Sequence, residues 1–229
     1  MKTLASILLL LSLTACATSA PSSQPRPQSQ APQQQTERWQ LANLPHERVD
    51  YWVERFSNGD KRAEMESYFA RMPRYQTMIV EKLRRKRMPE ELLYLAMVES
   101  GFNTEAHSAQ AARGIWQLVP DTARRYGLKV DDTVDERIDP EKSTDAALSY
   151  LSYLYNRFGS WYVAAAAYNA GENRVGRIMT EATGAEKGTD ADYYRIWQQL
   201  PAETRDYVPA MIAAARIGKS GGLAPAVSR

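Results

Sequence analysis

The sequence predicts a mainly α fold in one domain, on three observations. Apolar residues recur at i, i+3, i+4 and i+7 in successive stretches. Capping residues, prolines and glycines fall where those stretches start and stop. No convincing segment alternates apolar and polar residues as a half-buried strand would. The 229 residues, 44% hydrophobic and 24% charged, suit one domain of moderate size with some sequence to spare.

In chain order, Val49, Trp52, Val53 and Phe56 make the first helical stripe. Met65, Tyr68, Phe69 and Met72 make the second, and Tyr75, Met78, Ile79 and Leu83 the third. Asn58-Gly59-Asp60 and Met72-Pro73 separate them. Pro89 suits the first turn of a fourth helix that runs through residues 92–98 and ends near Gly101. Those seven residues are apolar or aromatic on every side, as a helix at the domain centre requires. Asp139-Pro140 caps and opens a helix through Leu148, Leu151, Tyr155 and Phe158 to Gly159. Ser160 caps the next, Trp161 to Asn169, in which the alanines 164–167 permit close helix packing. A last long helix runs from Pro201 towards Ile217, with Pro209 expected to kink it.

The ends read differently. Lys2 precedes a short apolar run, residues 7–13, too short to span a bilayer, which needs roughly 20 apolar residues. Cys16, the only cysteine, closes that run, and Leu13-Thr-Ala-Cys16 resembles the bacterial lipobox. The resemblance implies a signal peptide over residues 1–15, cleavage before Cys16, and acylation of that residue. Ala17 resembles the sorting pattern of Gram-negative outer-membrane lipoproteins. Residues 17–36 are mostly Ser, Pro, Gln and Ala and cannot bury enough surface to offset their ordering entropy. The expected organisation is thus a lipid-anchored tether over 16–36, a helical domain over 37–217 with its core at about 89–217, and a flexible tail over 218–229. The expected location is the periplasmic face of the outer membrane, with the lipid as the only membrane contact.

Twenty-nine Lys and Arg stand against 27 Asp and Glu, a net charge of +2, and no nucleic-acid signature accompanies it. The basic run at 82–87 reads either as a solvated helix end suited to the C-terminal dipole or as contact with an anionic envelope surface. His46 and His107 are the only histidines; they lack metal-ligand spacing and are expected at the surface. No metal or cofactor is expected.

Glu99 is the residue that asks for chemistry. It follows the apolar run 92–98 in the last turn of its helix, just before Ser100-Gly101. Apolar surroundings and the negative end of the helix dipole both disfavour its carboxylate and raise its pKa. A carboxylic acid kept protonated near neutrality is what cleavage of a glycosidic bond uses. On pattern alone, a surface Glu at a frayed helix end remains open.

Five motifs follow one another from that point: Glu99-Ser-Gly-Phe-Asn103; Ser108; Gly114-Ile-Trp-Gln117-Leu-Val-Pro120; Ala167-Tyr-Asn-Ala-Gly171; and Glu203-Thr-Arg-Asp-Tyr207-Val. Together they resemble the catalytic module of the soluble-lytic-transglycosylase family, over about residues 49–217. The resemblance implies a goose-type, lysozyme-like helical domain that acts on peptidoglycan glycan strands without a cofactor. By resemblance, Glu99 is the catalytic acid and base. Ser108 orients the muramic N-acetyl group or a nearby hydroxyl, Gln117 hydrogen-bonds sugar, and Val119 stands where the family often has Met on the groove floor. Tyr168 and Asn169 match a Tyr-Asn pair facing the groove, and Tyr207 a tyrosine that positions the catalytic carboxyl or the sugar ring. Core packing remains open for Tyr168, and Trp116 reads equally as a sugar platform or as core. Glu203 reads as the partner of a nearby cation. An envelope-machinery partner is left unidentified.

Two other readings stand beside this one. A lysozyme-like muramidase needs an acid to activate water; between Gly101 and Arg113 Glu105 is the one acid, and it or the later cluster Asp131, Asp132 and Asp135 is the candidate. A non-catalytic glycan-binding scaffold would be favoured by a substituted Glu99, which this chain does not have.

Overall fold

Ten α-helices succeed one another among the residues described, 39–223, of this computed structural model. They are α1 (Glu47–Ser57), α2 (Arg62–Arg71), α3 (Pro73–Arg85), α4 (Leu93–Ser100), α5 (Pro120–Arg125), α6 (Pro140–Phe158), α7 (Trp161–Ala170), α8 (Glu172–Thr183), α9 (Asp190–Ile196) and α10 (Ala202–Lys219). Three 3-10 turns, Glu90–Leu92, Glu136–Ile138 and Trp197–Gln199, lead into α4, into α6 and out of α9. Among the described residues pairing is limited to isolated bridges, such as His107 with Arg113 and Arg113 with Leu118. The fold class is mainly α, as read from the sequence. Cys16, the segment before it and the tether lie outside the described residues.

Local chemistry sets the boundaries. Asp139 accepts from the amides of Glu141 (2.9 Å) and Lys142 (3.0 Å) ahead of Pro140, so α6 opens capped. It ends at Gly159 in the left-handed conformation, and the Ser160 hydroxyl then accepts from Val163 N–H at 3.1 Å to start α7. Gly101 ends α4 at φ +57°, and a Cβ there would meet the Tyr68 ring at 2.1 Å. Helices α5, α8 and α9 were not singled out in the sequence. The tail also begins later than expected, since α10 runs to Lys219, two residues past Ile217.

Pro209 does not end its helix. Its missing N–H leaves the Arg205 carbonyl without a helical donor. Trp197 Nε1 (2.8 Å) and Tyr193 Oη (3.1 Å) donate to that carbonyl instead. Side chains brought from α9 and the following turn thus replace the lost bond, and α10 continues.

At the centre α10 packs against α1, α4 and α7, while α7 also meets α6, α8 and α9. Residues 162–167 of α7 are each 0% exposed, and the four alanines let its neighbours approach. The apolar run of α4 is buried from Leu93 to Met97. The core therefore closes around the two helices that carry Glu99 and Tyr207. The basic run is partly neutralised: Lys82 is buried and pairs with Asp145 at 2.7 Å, and Arg84 pairs with Glu90 at 2.7 Å.

Candidate active site

Where α4 emerges from the core, Glu99 meets a cleft of about 650 Å³. The site residues read from the sequence, Glu99, Ser108, Gln117, Val119, Tyr168, Asn169 and Tyr207, all line it. They come from four places: the end of α4, the loop before α5, the end of α7 and the first half of α10.

Tyr207 Oη donates to Glu99 Oε1 at 2.5 Å. Burial is the largest influence on that carboxyl and raises its pKa; the Tyr207 hydrogen bond lowers it, and the negative charge of Glu203 raises it again. The outcome is a pKa of about 8, against an ordinary 4.5. At neutral pH Glu99 is an acid with a proton to give, and after giving it is a base held by a phenol. Burial and the nearby Glu99 also push both Tyr207 and Tyr168 well above the ordinary range, so these phenols stay protonated as donors.

The loop wall is built on unusual backbone. Gln117 sits at φ +45° and Ala111 at φ +58°. Gln117 Nε2 donates to the carbonyls of Gly114 (2.9 Å) and Ala106 (3.1 Å), which holds the loop and leaves its Oε1 without a protein donor among the described residues. Ser108 Oγ accepts from the amides of Gln110 (3.2 Å) and Ala112 (3.1 Å), leaving its hydroxyl hydrogen to be donated. Val119, 37% exposed, precedes α5. Behind the wall Arg137, 5% exposed, donates to the carbonyls of Ala111 (2.5 Å) and Leu118 (3.0 Å) and pairs with Asp135 at 2.7 Å. On the other side, Asn169 Oδ1 accepts from Thr204 Oγ1 at 2.7 Å, tying α7 to α10. Tyr168 donates to the Trp116 carbonyl at 2.7 Å.

Several expectations change. Trp116 is core: fully buried, with Nε1 donating to Thr144 Oγ1 at 2.8 Å, it has no face free for a sugar. Glu203 is not tied to a cation. It is exposed in the cleft, forms no ion pair among the described residues, and lies 3.5 Å from Asn169 Nδ2. His46 is half-buried rather than free at the surface. Its Nδ1 accepts from Arg48 N–H at 3.1 Å and its ring stacks on Tyr194 with centroids 4.0 Å apart. His107 is exposed. Glu105, Asp131, Asp132 and Asp135 do not line the cleft, and Arg174, overlooked in the sequence, does. Among the described residues no group of three or more His, Cys, Asp or Glu side chains is arranged to hold a metal ion.

Comparison with known proteins places this geometry in context. Residues 76–190 match the family described as "Transglycosylase SLT domain". The membrane-bound lytic murein transglycosylase D of Escherichia coli K12 is 40% identical over 147 residues, which are 64% of this chain and 32% of that protein. The soluble lytic murein transglycosylase of the same strain is 30% identical over 135 residues, or 56% of this chain and 20% of its own length. The chain thus spans about a third or less of these relatives. Among solved structures, the 70 kDa soluble lytic transglycosylase of Escherichia coli superposes with a TM-score of 0.51 at 27% identity, covering 61% of this chain and 23% of that one. An inactive glutamate-to-glutamine mutant of the lytic transglycosylase Slt from Pseudomonas aeruginosa also gives 0.51 at 25% identity, covering 65% of this chain and 25% of that one.

Proposed function

Because the chain belongs to the transglycosylase SLT domain family, we propose that it is a peptidoglycan lytic transglycosylase with Glu99 as its one catalytic carboxyl. The observation that carries the reading is the Glu99–Tyr207 pair: an acid with a pKa of about 8, fixed at 2.5 Å by a phenol at the floor of an open cleft. As acid, Glu99 gives its proton to the oxygen linking N-acetylmuramic acid to N-acetylglucosamine, and the bond from C1 to that oxygen breaks. The muramic N-acetyl group supports the positive charge left on C1. As base, the Glu99 carboxylate then takes the proton of the C6 hydroxyl while that oxygen bonds to C1 and closes a 1,6-anhydro ring. Attack from within the sugar carries a high effective molarity, so no second carboxyl need activate water.

The cleft supports roles for the remaining residues. Ser108 has a hydrogen to donate to an N-acetyl carbonyl, and Gln117 Oε1 is an open acceptor for a sugar hydroxyl or amide. Val119 belongs to the same loop wall as Gln117, and Asn169 and Tyr168 line the other side. A muramidase reading would route a water through Glu203, the other carboxylate of the cleft. That the relative from Escherichia coli is named as membrane-bound supports placing this protein at the outer membrane through a lipid on Cys16. No described helix is long and apolar enough to cross a membrane.

Mass spectrometry of the muropeptides released from purified sacculi tests the reaction. New ends should be 1,6-anhydromuramic acid, and Glu99→Gln should lower the rate by about 10²–10⁴-fold while Glu105→Gln leaves it largely intact. Reducing muramic acid as the main product, made by the wild type and lost in Glu203→Gln, would establish the hydrolase instead.

A further inference from the structure

Arg174 is the only Lys or Arg among the described residues lining the cleft. Its side chain is exposed and makes no hydrogen bond or ion pair among those residues. Arg177, one turn on, is exposed and unpaired among the described residues as well but does not line the cleft, so what sets Arg174 apart is an unpaired cation inside the cleft itself. Arg125 pairs with Glu172, Arg157 with Glu186 and Arg195 with Asp192, each at 2.8 Å. Glu172, two residues before Arg174, is already taken by Arg125 on Oε1 and by the Tyr150 hydroxyl on Oε2 (2.7 Å). Glu203 lines the same cleft, yet the two form no ion pair. Arg174 also stands in the first turn of α8, where a cation gains nothing from the helix dipole. Neither a partner nor helix stability accounts for it.

The substrate offers a narrow choice of anion. A β-1,4 backbone of N-acetylated hexoses is uncharged, and its carboxylates sit on the lactyl branch of the muramic residue or on the peptide attached there. Resting on the transglycosylase reading, we infer that Arg174 binds a carboxylate carried on the muramic lactyl branch and so makes the cleft selective for muramic over plain N-acetylglucosamine polymers. The guanidinium is suited to the task, because its planar fork of donors matches a carboxylate.

Binding to the Glu99→Gln protein tests this without turnover, with three ligands: peptide-bearing glycan strands, strands stripped of peptide so that the lactyl carboxylate is free, and chito-oligosaccharide. Adding Arg174→Met should weaken at least one of the first two by about tenfold and leave the third unchanged. Arg174→Lys should restore part of the loss, and added salt should shrink the difference. The strand that loses affinity identifies the carboxylate, stem or lactyl. Equal losses on all three ligands, or none on any, overturn the inference. If the wild type makes no anhydro ends but its strand binding still depends on Arg174, the reaction assignment falls and the recognition stands.

Discussion

Burial and two neighbours set the proton affinity of Glu99 with opposite signs: burial and the Glu203 charge raise it, and the Tyr207 hydroxyl lowers it. The acid form therefore prevails below about pH 8 and is lost as pH rises through that value. Tyr207→Phe removes the donor that favours the carboxylate, so the alkaline limb of kcat/KM should move to higher pH even as the rate falls by about 10–100-fold. Glu203→Gln removes a like charge and should move the same limb to lower pH. A shift of both limbs in one direction would contradict the account. The same carboxyl links pH to stability. Because its folded pKa of about 8 exceeds the ordinary 4.5, the folded protein holds more protons than the unfolded chain between those values. Its contribution is fully present below about pH 4.5 and lost as pH climbs to about 8. Glu99→Gln, which cannot ionise, should melt above the wild type, with the gap opening from pH 5 to pH 8 to at least roughly 2–4 °C, or about 1 kcal/mol. Parallel melting curves at every pH would remove the desolvated carboxyl from the explanation.

Among the elements, the loop wall before α5 depends most on a single partner. Arg137 fixes the Ala111 and Leu118 carbonyls on either side of Gly114, whose added Cβ would lie 2.0 Å from the Arg137 carbonyl oxygen at φ +78°. Arg137→Met should cost about 2–4 kcal/mol in urea unfolding and raise KM, because Gln117 and Val119 lose their support. Gly114→Ala should destabilise similarly, and wild-type unfolding in both variants would contradict this. The helical stripes of α1–α3, the apolar run of α4 and the Asp139 and Ser160 caps were legible because their signals are local. So were signals left unused: Val175, Ile178, Met179 and Ala182 form a helical stripe on α8, and Thr189 with Asp192 is a capping box on α9. The rescue of Pro209 was not legible, since it needs Trp197 and Tyr193 brought beside the Arg205 carbonyl by packing. The site divides the same way. Glu99 stood out against its apolar run, whereas the burial of Trp116 and the isolation of Arg174 depend on which elements meet.

At the scale of the whole chain, the proposed chemistry and the proposed attachment fall on separate stretches of sequence. The cleft residues run from Val98 to Tyr207, all within the described helices and loops, whereas Cys16 and the residues up to 36 lie outside them. If the lipid alone holds the protein at the membrane, location and turnover should come apart in Cys16→Ala. That protein should escape lipoprotein processing and lose its outer-membrane anchoring, yet its purified form should cut isolated sacculi at the wild-type rate. The competing anchor is the basic end of α3, where Arg85, Lys86 and Arg87 are exposed on the helix terminus and the turn beyond it. The two differ in how they let go. Several acyl chains, each worth about 0.8 kcal/mol per buried CH₂, hold against salt and yield to detergent. A patch of exposed cations on an anionic surface is screened within a Debye length of about 10 Å at 0.1 M salt and releases in a high-salt wash. Membrane fractions of wild type and Cys16→Ala, washed with salt and then with detergent, should show wild type released by detergent alone and the variant absent from both fractions. Retention of the variant, released by salt, would move the attachment from the lipid to the end of α3.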